Sequence, residues 1–411
     1  MWARALRRTL STQHGYRKNP SKGDKVIVAM SGGVDSSVTA KLLADKDYDL
    51  SAVFMRNWDT RDESGTDKGC EWEKDWEDVQ RVCRKFDIPH RMIDLSREYW
   101  LRVFEPSLKS WEMGDTPNPD IWCNKEVKFG ALMDHLPVDT QFIATGHYAH
   151  KLYHPETHRP QLLRPHDRLK DQTYYLSSIS ESSLSKTLFP LAHLPKGSVR
   201  KIAYDAELHN ASRAESMGIC FVGEKRRFSD FLSDYLTPNP GPILHLETGR
   251  QLGTHQGLWT YTIGQGAKIR GMPERMFVAR KDKSTNALWV ASINNPALLA
   301  SSITMNDWSW IWADAPPPNL ASRSGFRARM QFRHRMLDVP CTVFSANPSN
   351  PRSIHIVFDE PQKAVAHGQI AALWDGEWCL GCGTIEDVGT VDHASFSAVA
   401  ATATTERPSH S

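Results

Sequence analysis

The feature that most constrains this chain is a short apolar run, Lys25-Val-Ile-Val-Ala-Met30, followed at once by Ser31-Gly-Gly-Val-Asp-Ser-Ser37 and a helix-forming stretch, Ser36 to Lys46. A run without polar alternation suits a strand buried on both faces, as in a parallel sheet. Two adjacent glycines let the backbone turn tightly and approach a ligand with no Cβ in the way. The amides of such a turn and of the helix behind it form an anion site, to which Ser31, Ser36 and Ser37 add hydroxyls. No Gly-Lys-Ser/Thr follows, so this is not a Walker loop.

The alternation continues. Leu50 to Met55 reads as a strand, and Trp72, Trp76, Val79, Cys83 and Phe86 fall at helical spacing. His90 to Leu95 is strand-like, Tyr99 to Trp111 and Asn124 to His135 are helix-like, and Gln141 to Thr145 is a further strand. Strands alternating with helices predict a parallel sheet covered on both faces, with ligands at the carboxyl ends of its strands. Beyond the loops Thr237-Pro-Asn-Pro-Gly-Pro242 and Ala315-Pro-Pro-Pro-Asn319 the character changes to short strands between turn residues. His355 to Phe358 and Gln369 to Trp374 are examples, and they predict one or two small β domains.

Apolar residues make up 40% and charged residues 24% of the 411, a globular balance. No apolar run is long enough to span a membrane. Residues 1–23 stand apart: Arg4, Arg7, Arg8, Arg17, Lys18 and Lys22 occur there without an acid, and Trp2, Leu6 and Leu10 recur every four residues. That is the composition of a mitochondrial transit peptide, with a disordered basic tail as the other reading, and it predicts a protein of the mitochondrial matrix. Without those six cations the formal charge of +2 becomes −4, so nucleic-acid binding needs a local basic surface. The seven cysteines are too sparse and irregular for a secreted disulfide framework. Cys123 lies just before the predicted 124–135 helix and near Lys125, an environment that favours a thiolate. Cys220 lies between Gly218 and Gly223. Each cysteine alone reads equally as a buried small hydrophobe.

The strand, SGGVDSS and helix together resemble the PP-loop of the ATP pyrophosphatase superfamily, whose members cleave ATP between the α- and β-phosphates. TPNPDIWCNKE, ATGHYA, LKDQTYYL, GICFVGE and HQGLWTYTIGQ then occur in this order. The series is similar to that of the tRNA-specific 2-thiouridylase family, over about Lys25 to Ile385. The resemblance implies an α/β fold. A parallel-sheet PP-loop ATP pyrophosphatase domain (24–215) would precede a small central β-containing domain (216–285) and a C-terminal β-barrel (286–392), with a disordered tail at 393–411.

The resemblance also implies roles. Ala29, Met30, Ser31, Gly32, Gly33, Val34, Asp35 and Ser36, with Met55 and Gly146, would contact ATP, Asp35 serving catalysis as well. Asn118, Pro119 and Asp120 would surround the target base. Cys123 would be the nucleophilic thiol and Cys220 would carry the persulfide. His147, Lys170, Asp171, Gln172, Arg333, His334 and Gln369 would touch tRNA. Magnesium would accompany ATP, a cysteine desulfurase or sulfur relay would supply sulfur, and the protein would be a monomer without a resident metal or a membrane partner. The implied reaction is thiolation at C2 of the wobble uridine. Adenylation turns the C2 oxygen into a leaving group, after which sulfur attacks, either as the bound persulfide or as free sulfide. Cys123 reduces the persulfide or resolves it through a Cys123–Cys220 disulfide, and the target base is extruded from its stack.

Phe326 to Met336 alternates strictly, with Arg327, Arg329, Gln331, Arg333 and Arg335 on one side and Phe326, Ala328, Met330, Phe332 and Met336 on the other. This predicts a strand that offers four guanidinium groups to phosphates. Arg333 and His334 are neighbours, so both reach RNA only where the strand ends or bulges. The chain departs from the family at Met217, where threonine is usual before Gly-Ile-Cys, and at Gly266-Ala-Lys-Ile269, where Arg-Lys-Gly-Leu is common. Cys379-Leu-Gly-Cys382 lacks a second ligand pair for zinc and reads as a strand turn. Two other functions fit parts of the pattern: another PP-loop ligase of amide-forming or amidotransferase type, which needs no cysteine, and a tRNA-binding protein without catalysis.

Overall fold

The computed structural model describes residues 16–58, 71–214 and 228–391. The segment before residue 16, which the sequence reads as a transit peptide, Met217 and Cys220, and the tail from residue 392 lie outside the described residues.

The first apolar run is strand β1 (Lys25–Met30), and helix α1 (Val34–Ala44) follows the glycine turn. Next come β2 (Asp49–Arg56), α2 (Glu71–Lys85) and β3 (His90–Asp94). Two longer helical stretches, α3 (residues 96–112) and α4 (residues 119–135), precede β4 (Phe142–Thr145). With β7 (Thr187–Leu188) the strands form a five-stranded sheet in the order β3-β2-β1-β4-β7, parallel throughout. Val26 and Val28 pack into one apolar layer with α1 and α2, while Ile27 packs into another with α3 and α4. The two-sided burial explains why this strand carries no polar alternation.

The hairpin β5 (His150–Tyr153) and β6 (Pro160–Leu163) leaves this sheet and pairs through β6 with β18 (Trp378–Thr384), more than 200 residues on. It joins a ten-stranded sheet with β12 (Leu299–Met305), β13 (Ser309–Trp310), β14 (Phe326–Gln331), β15 (Val339–Ser345), β16 (Ile354–Lys363), β17 (Ile370–Asp375) and β19 (Asp387–Thr390). A smaller sheet of β8 (Gly241–His245), β9 (Gln251–His255), β10 (Met276–Asp282) and β11 (Ala287–Ser292) lies between them in sequence.

Two arginines fasten the hairpin region to the large sheet. Arg159 is buried; it bonds Glu181 at 2.8 Å through Nε and Asp314 at 2.6 Å, and lies over the Trp312 ring at 4.7 Å. Arg164 bridges Asp171 at 2.5 Å and Asp338 at 2.8 Å, over the Trp374 ring.

Three expectations are corrected here. The arginine-rich strand ends at Gln331, because the chain turns over 332–336 and Arg335 takes a left-handed φ of 64°. Arg327 and Arg329 do face outward, but they bind Asp359 and Asp338, so the strand does not offer four unengaged guanidinium groups. The Cys379/Cys382 pair lies within β18 rather than at a turn, and burial pushes the Cys382 thiol up to about 11 and Cys379 well above its ordinary value.

Removing one partner of a buried ion network strands the others. Arg159→Ala is expected to lower stability by about 3 kcal/mol, whereas Arg327→Ala, at an exposed pair, should cost less than about 1 kcal/mol. Chemical denaturation of the two variants checks the contrast; equal losses would refute it.

Candidate active site

The glycine loop sits at the carboxyl end of β1. Gly32 has φ 76°, and a Cβ there would stand 2.7 Å from the Asp75 carbonyl oxygen. Its own carbonyl accepts from Asn210 Nδ2 at 2.8 Å and Arg213 at 3.3 Å. Gly33 precedes α1 with no side chain capping the helix, while the Ser36 and Ser37 hydroxyls turn back to the Gly33 carbonyl at 3.0 Å. Gly146 follows β4 so closely that a Cβ would lie 2.7 Å from the Ser36 amide nitrogen. The register sets Ala29 beside Thr145 and Met30 beside Phe54, so Met55, Gly146 and the loop share one end of the sheet. The bare backbone and the uncapped helix start fit a phosphate chain.

Asp35 is held by Lys196 Nζ, at 2.6 and 2.8 Å, and by the Tyr148 hydroxyl at 3.0 Å. Neither partner was singled out from the sequence, where a lone lysine after a Leu-Pro turn gives no signal. Gln172 brackets Tyr148 by accepting from its amide at 2.8 Å. Asp171 binds Arg164 and the Thr173 amide and hydroxyl. Lys170 ends an exposed turn. The Lys170–Gln172 triplet therefore supports the site's walls, with two of its side chains engaged inside the protein. His147 bonds Thr145 Oγ1 at 3.0 Å; burial, aided by Lys128, pushes its pKa down to about 3, so it is neutral at physiological pH.

Cys123 is not ahead of a helix, as the sequence reading had it, but inside one. The helix starts at Pro119, capped by the Asn118 side chain, which accepts from the Ile121 amide at 3.3 Å. Proline at the first helical position after an asparagine cap is a start signal. From Cys123 to Ala131 the helix takes the wider π form, a local winding common at functional sites. Lys125 pairs with Glu126 at 3.3 Å. The Cys123 thiol is buried in the layer that holds Trp111, Phe231 and Trp259, against which Ala29 and Met55 also pack. Burial, opposed by Lys128, raises the Asp120 carboxyl above its ordinary range.

Three parts of the chain meet at the segment just before this helix. From the central sheet, Lys281 Nζ bonds the Gly114 carbonyl at 2.7 Å and Lys283 binds Asp115 at 2.7 Å. From the large sheet, the His367 carbonyl accepts from the Thr116 amide at 2.9 Å, and Gly368, at φ 84°, leaves only 2.8 Å between its Cβ position and Asp115 Cβ. Tyr174 bonds the Ile370 carbonyl at 2.9 Å and also Asn118.

A cleft opens on each side. One, of about 370 Å³, is walled by Trp111, Pro119, Phe228, Trp259 and Tyr261. The other, of about 150 Å³, brings together Asn118, Tyr174, Arg333, His334 and Gln369. Residues assigned to the target base and to tRNA thus share a wall although more than 200 positions separate them. His334 packs at a tilt against the Tyr175 ring, centroids 4.5 Å apart, and Gln369 accepts from the Ala366 amide at 2.9 Å. The strand end at Gln331 lets Arg333 and His334 face the same cleft.

Comparison with known proteins bears on this arrangement directly. A protein named tRNA-specific 2-thiouridylase MnmA from Oceanobacillus iheyensis is 41% identical over 377 residues, covering 91% of this chain and 98% of its own. The chain belongs to the tRNA-specific 2-thiouridylase family. A second 2-thiouridylase, from Alkaliphilus oremlandii, is 42% identical over 89% of this chain and 98% of its own. "Mitochondrial tRNA-specific 2-thiouridylase 1" of Gallus gallus is 41% identical over 89% of this chain and 92% of its own. Three family models match in succession: "tRNA methyl transferase HUP domain" at residues 24–224, "tRNA methyl transferase PRC-barrel domain" at 229–292 and "Aminomethyltransferase beta-barrel domain" at 300–385. Membership in the 2-thiouridylase family implies ATP use at the glycine loop.

Gly32→Ala must strain a left-handed residue and push against the Asp75 backbone. It is expected to weaken ATP binding at least tenfold and to cost roughly 1–3 kcal/mol of stability. Equilibrium nucleotide binding measured beside chemical denaturation checks this; wild-type affinity in the variant would contradict the assignment of the loop.

Proposed function

We propose that this protein thiolates C2 of the wobble uridine in mitochondrial tRNA at the expense of ATP. The observation that carries the reading is the shared apolar layer. Cys123 packs with Ala29 and Met55 at the nucleotide end of the sheet, and the Asn118 cap of its helix lines a cleft with Arg333, His334 and Gln369. A base entering that cleft would meet the activating phosphate and the thiol on neighbouring elements.

The glycine loop and the start of α1 hold the phosphates, with magnesium arriving on them. The uracil C2 oxygen attacks the α-phosphorus, the bond to the β-phosphate oxygen breaks, and pyrophosphate leaves. Sulfur then forms a bond to C2 as the C2–oxygen bond breaks and AMP departs. The sulfur comes from a persulfide on Cys220. Either its terminal sulfur attacks C2 and the Cys123 thiolate then cleaves the sulfur–sulfur bond, or Cys123 cleaves it first and the released sulfide attacks. Both routes leave a Cys123–Cys220 disulfide, which an external dithiol must reduce.

The chain on either side of Cys220 is anchored consistently with this. Arg213 bonds the Gly32 carbonyl, and Phe228 packs edge-on against Trp111 at 5.2 Å, in the layer of Cys123. A cysteine desulfurase or a relay from one is the proposed sulfur source. The basic amphipathic leader and the relative from Gallus gallus support a mitochondrial address, in the matrix. Methyl transfer, which two family-model descriptions name, requires neither the pyrophosphate loop nor the paired cysteines.

The test is nucleoside mass analysis of mitochondrial tRNA incubated with the protein, ATP, a cysteine desulfurase and cysteine, with AMP and pyrophosphate measured in parallel. Wild type is expected to yield 2-thiouridine at the wobble position. Cys123→Ala and Cys220→Ala should each lower its rate by on the order of a thousandfold or more. Thiolation that survives both substitutions would overturn the relay, and wild-type protein producing no 2-thiouridine would overturn the function.

A further inference from the structure

Two leucines are displayed where apolar side chains are seldom placed. Leu169 is 92% exposed and Leu337 is 89% exposed. A single exposed leucine needs no explanation, but these two are held on rigid turns fastened to each other. Around Leu169, Asp167 accepts from the Leu169 amide at 3.2 Å, and the Lys170 amide bonds the Asp167 carbonyl at 3.1 Å. Around Leu337, Gln331 bonds the Met336 carbonyl at 2.6 Å, and Arg329 grips both the side chain and the carbonyl of Asp338. One guanidinium, Arg164, joins the turns by bonding Asp171 and Asp338 together.

We infer that Leu169 and Leu337 form a paired apolar wedge that enters the base stack of the RNA and fills the space the extruded uridine vacates. The inference rests on the tRNA reading above. Position supports it, since Arg333 and His334, on the same turn as Leu337, line the cleft with Asn118. Charge supports it too: Lys170 follows Leu169 and Arg335 stands two residues before Leu337, whereas Arg168, just before Leu169, is paired with Glu377. Of the acids beside the leucines, Asp171 and Asp338 are neutralised by Arg164, and Asp167 is engaged by the Leu169 and Lys196 amides. An apolar tip between cations fits a stacked step between phosphates. Prior ordering of both turns means the wedge loses little conformational freedom on binding.

The test uses the full chain and an anticodon stem-loop RNA with 2-aminopurine beside the wobble uridine. Leu169→Ser/Leu337→Ser is expected to bind about tenfold more weakly, the effect of losing one buried leucine's worth of contact. The 2-aminopurine signal of unstacking should be lost, while melting temperature and ATP affinity stay at wild-type values. Its dependence of log affinity on log salt should keep the wild-type slope, whereas Arg333→Ala should lower the slope by about 1. Leu169→Met/Leu337→Met should restore binding. Wild type binding the stem-loop while the double serine variant binds equally well would overturn the wedge. Wild type that fails to bind the RNA at all would instead overturn the tRNA reading.

Discussion

The short segment from Gly114 to Pro119 is where the molecule is tied together. Lys281 and Lys283 reach it from the central sheet, the His367-Gly368 turn from the large sheet, and α3 and α4 bound it on the chain itself. Burial pushes the Lys281 ammonium down to about 8, opposed by Asp115 and assisted by Lys283. A buried cation is costly unless partnered, and its partner here is the Gly114 carbonyl. Because Asn118 caps the helix that carries Cys123, any displacement of this segment moves the thiol and both clefts together.

That arrangement explains why three units are joined so tightly. The nucleotide loop needs only the parallel sheet, and β1 to β4 supply it. A base brought from a large RNA must be gripped from outside that sheet, and in the proposed reading the turn after β14 together with Gln369 supplies the grip. The β5–β6 hairpin, paired with β18 and pinned by Arg159 and Arg164, fixes the relative placement of the two. Tyr174, bonded to Ile370 and Asn118, carries the same constraint into the cleft wall.

Much of this was legible in the sequence. The uninterrupted apolar run of β1 and the two glycines behind it specified a parallel strand and a phosphate loop, because only a doubly buried strand dispenses with polar residues. The alternation of Phe326 to Gln331 likewise specified a half-buried strand. What the sequence withheld was set by long-range pairing. Asp359 reaches Arg327 only through the register of β14, β15 and β16, and Asp338 reaches Arg329 only because the chain doubles back after Gln331. Lys196 and Tyr148 meet Asp35 across more than 100 positions, with no local pattern to announce them. The early start of α4 was a different failure. Asn118-Pro119 is a cap followed by proline at the first helical position, a start signal that lies ahead of the Asn124 start expected from the sequence. The π winding at Cys123 has no recognisable signature in the residues that form it.

The most direct test is a substitution at the contact that holds the 114–119 segment, in a residue with no reacting group of its own. Gly368→Ala adds one methyl group at a left-handed position, 2.8 Å from Asp115 Cβ and 2.9 Å from the Thr116 amide nitrogen. If the 114–119 segment sets the position of Asn118 and Cys123, kcat/KM for uridine thiolation should fall by roughly a hundredfold while ATP affinity is unchanged. Wild-type thiolation in a folded Gly368→Ala protein would contradict the account.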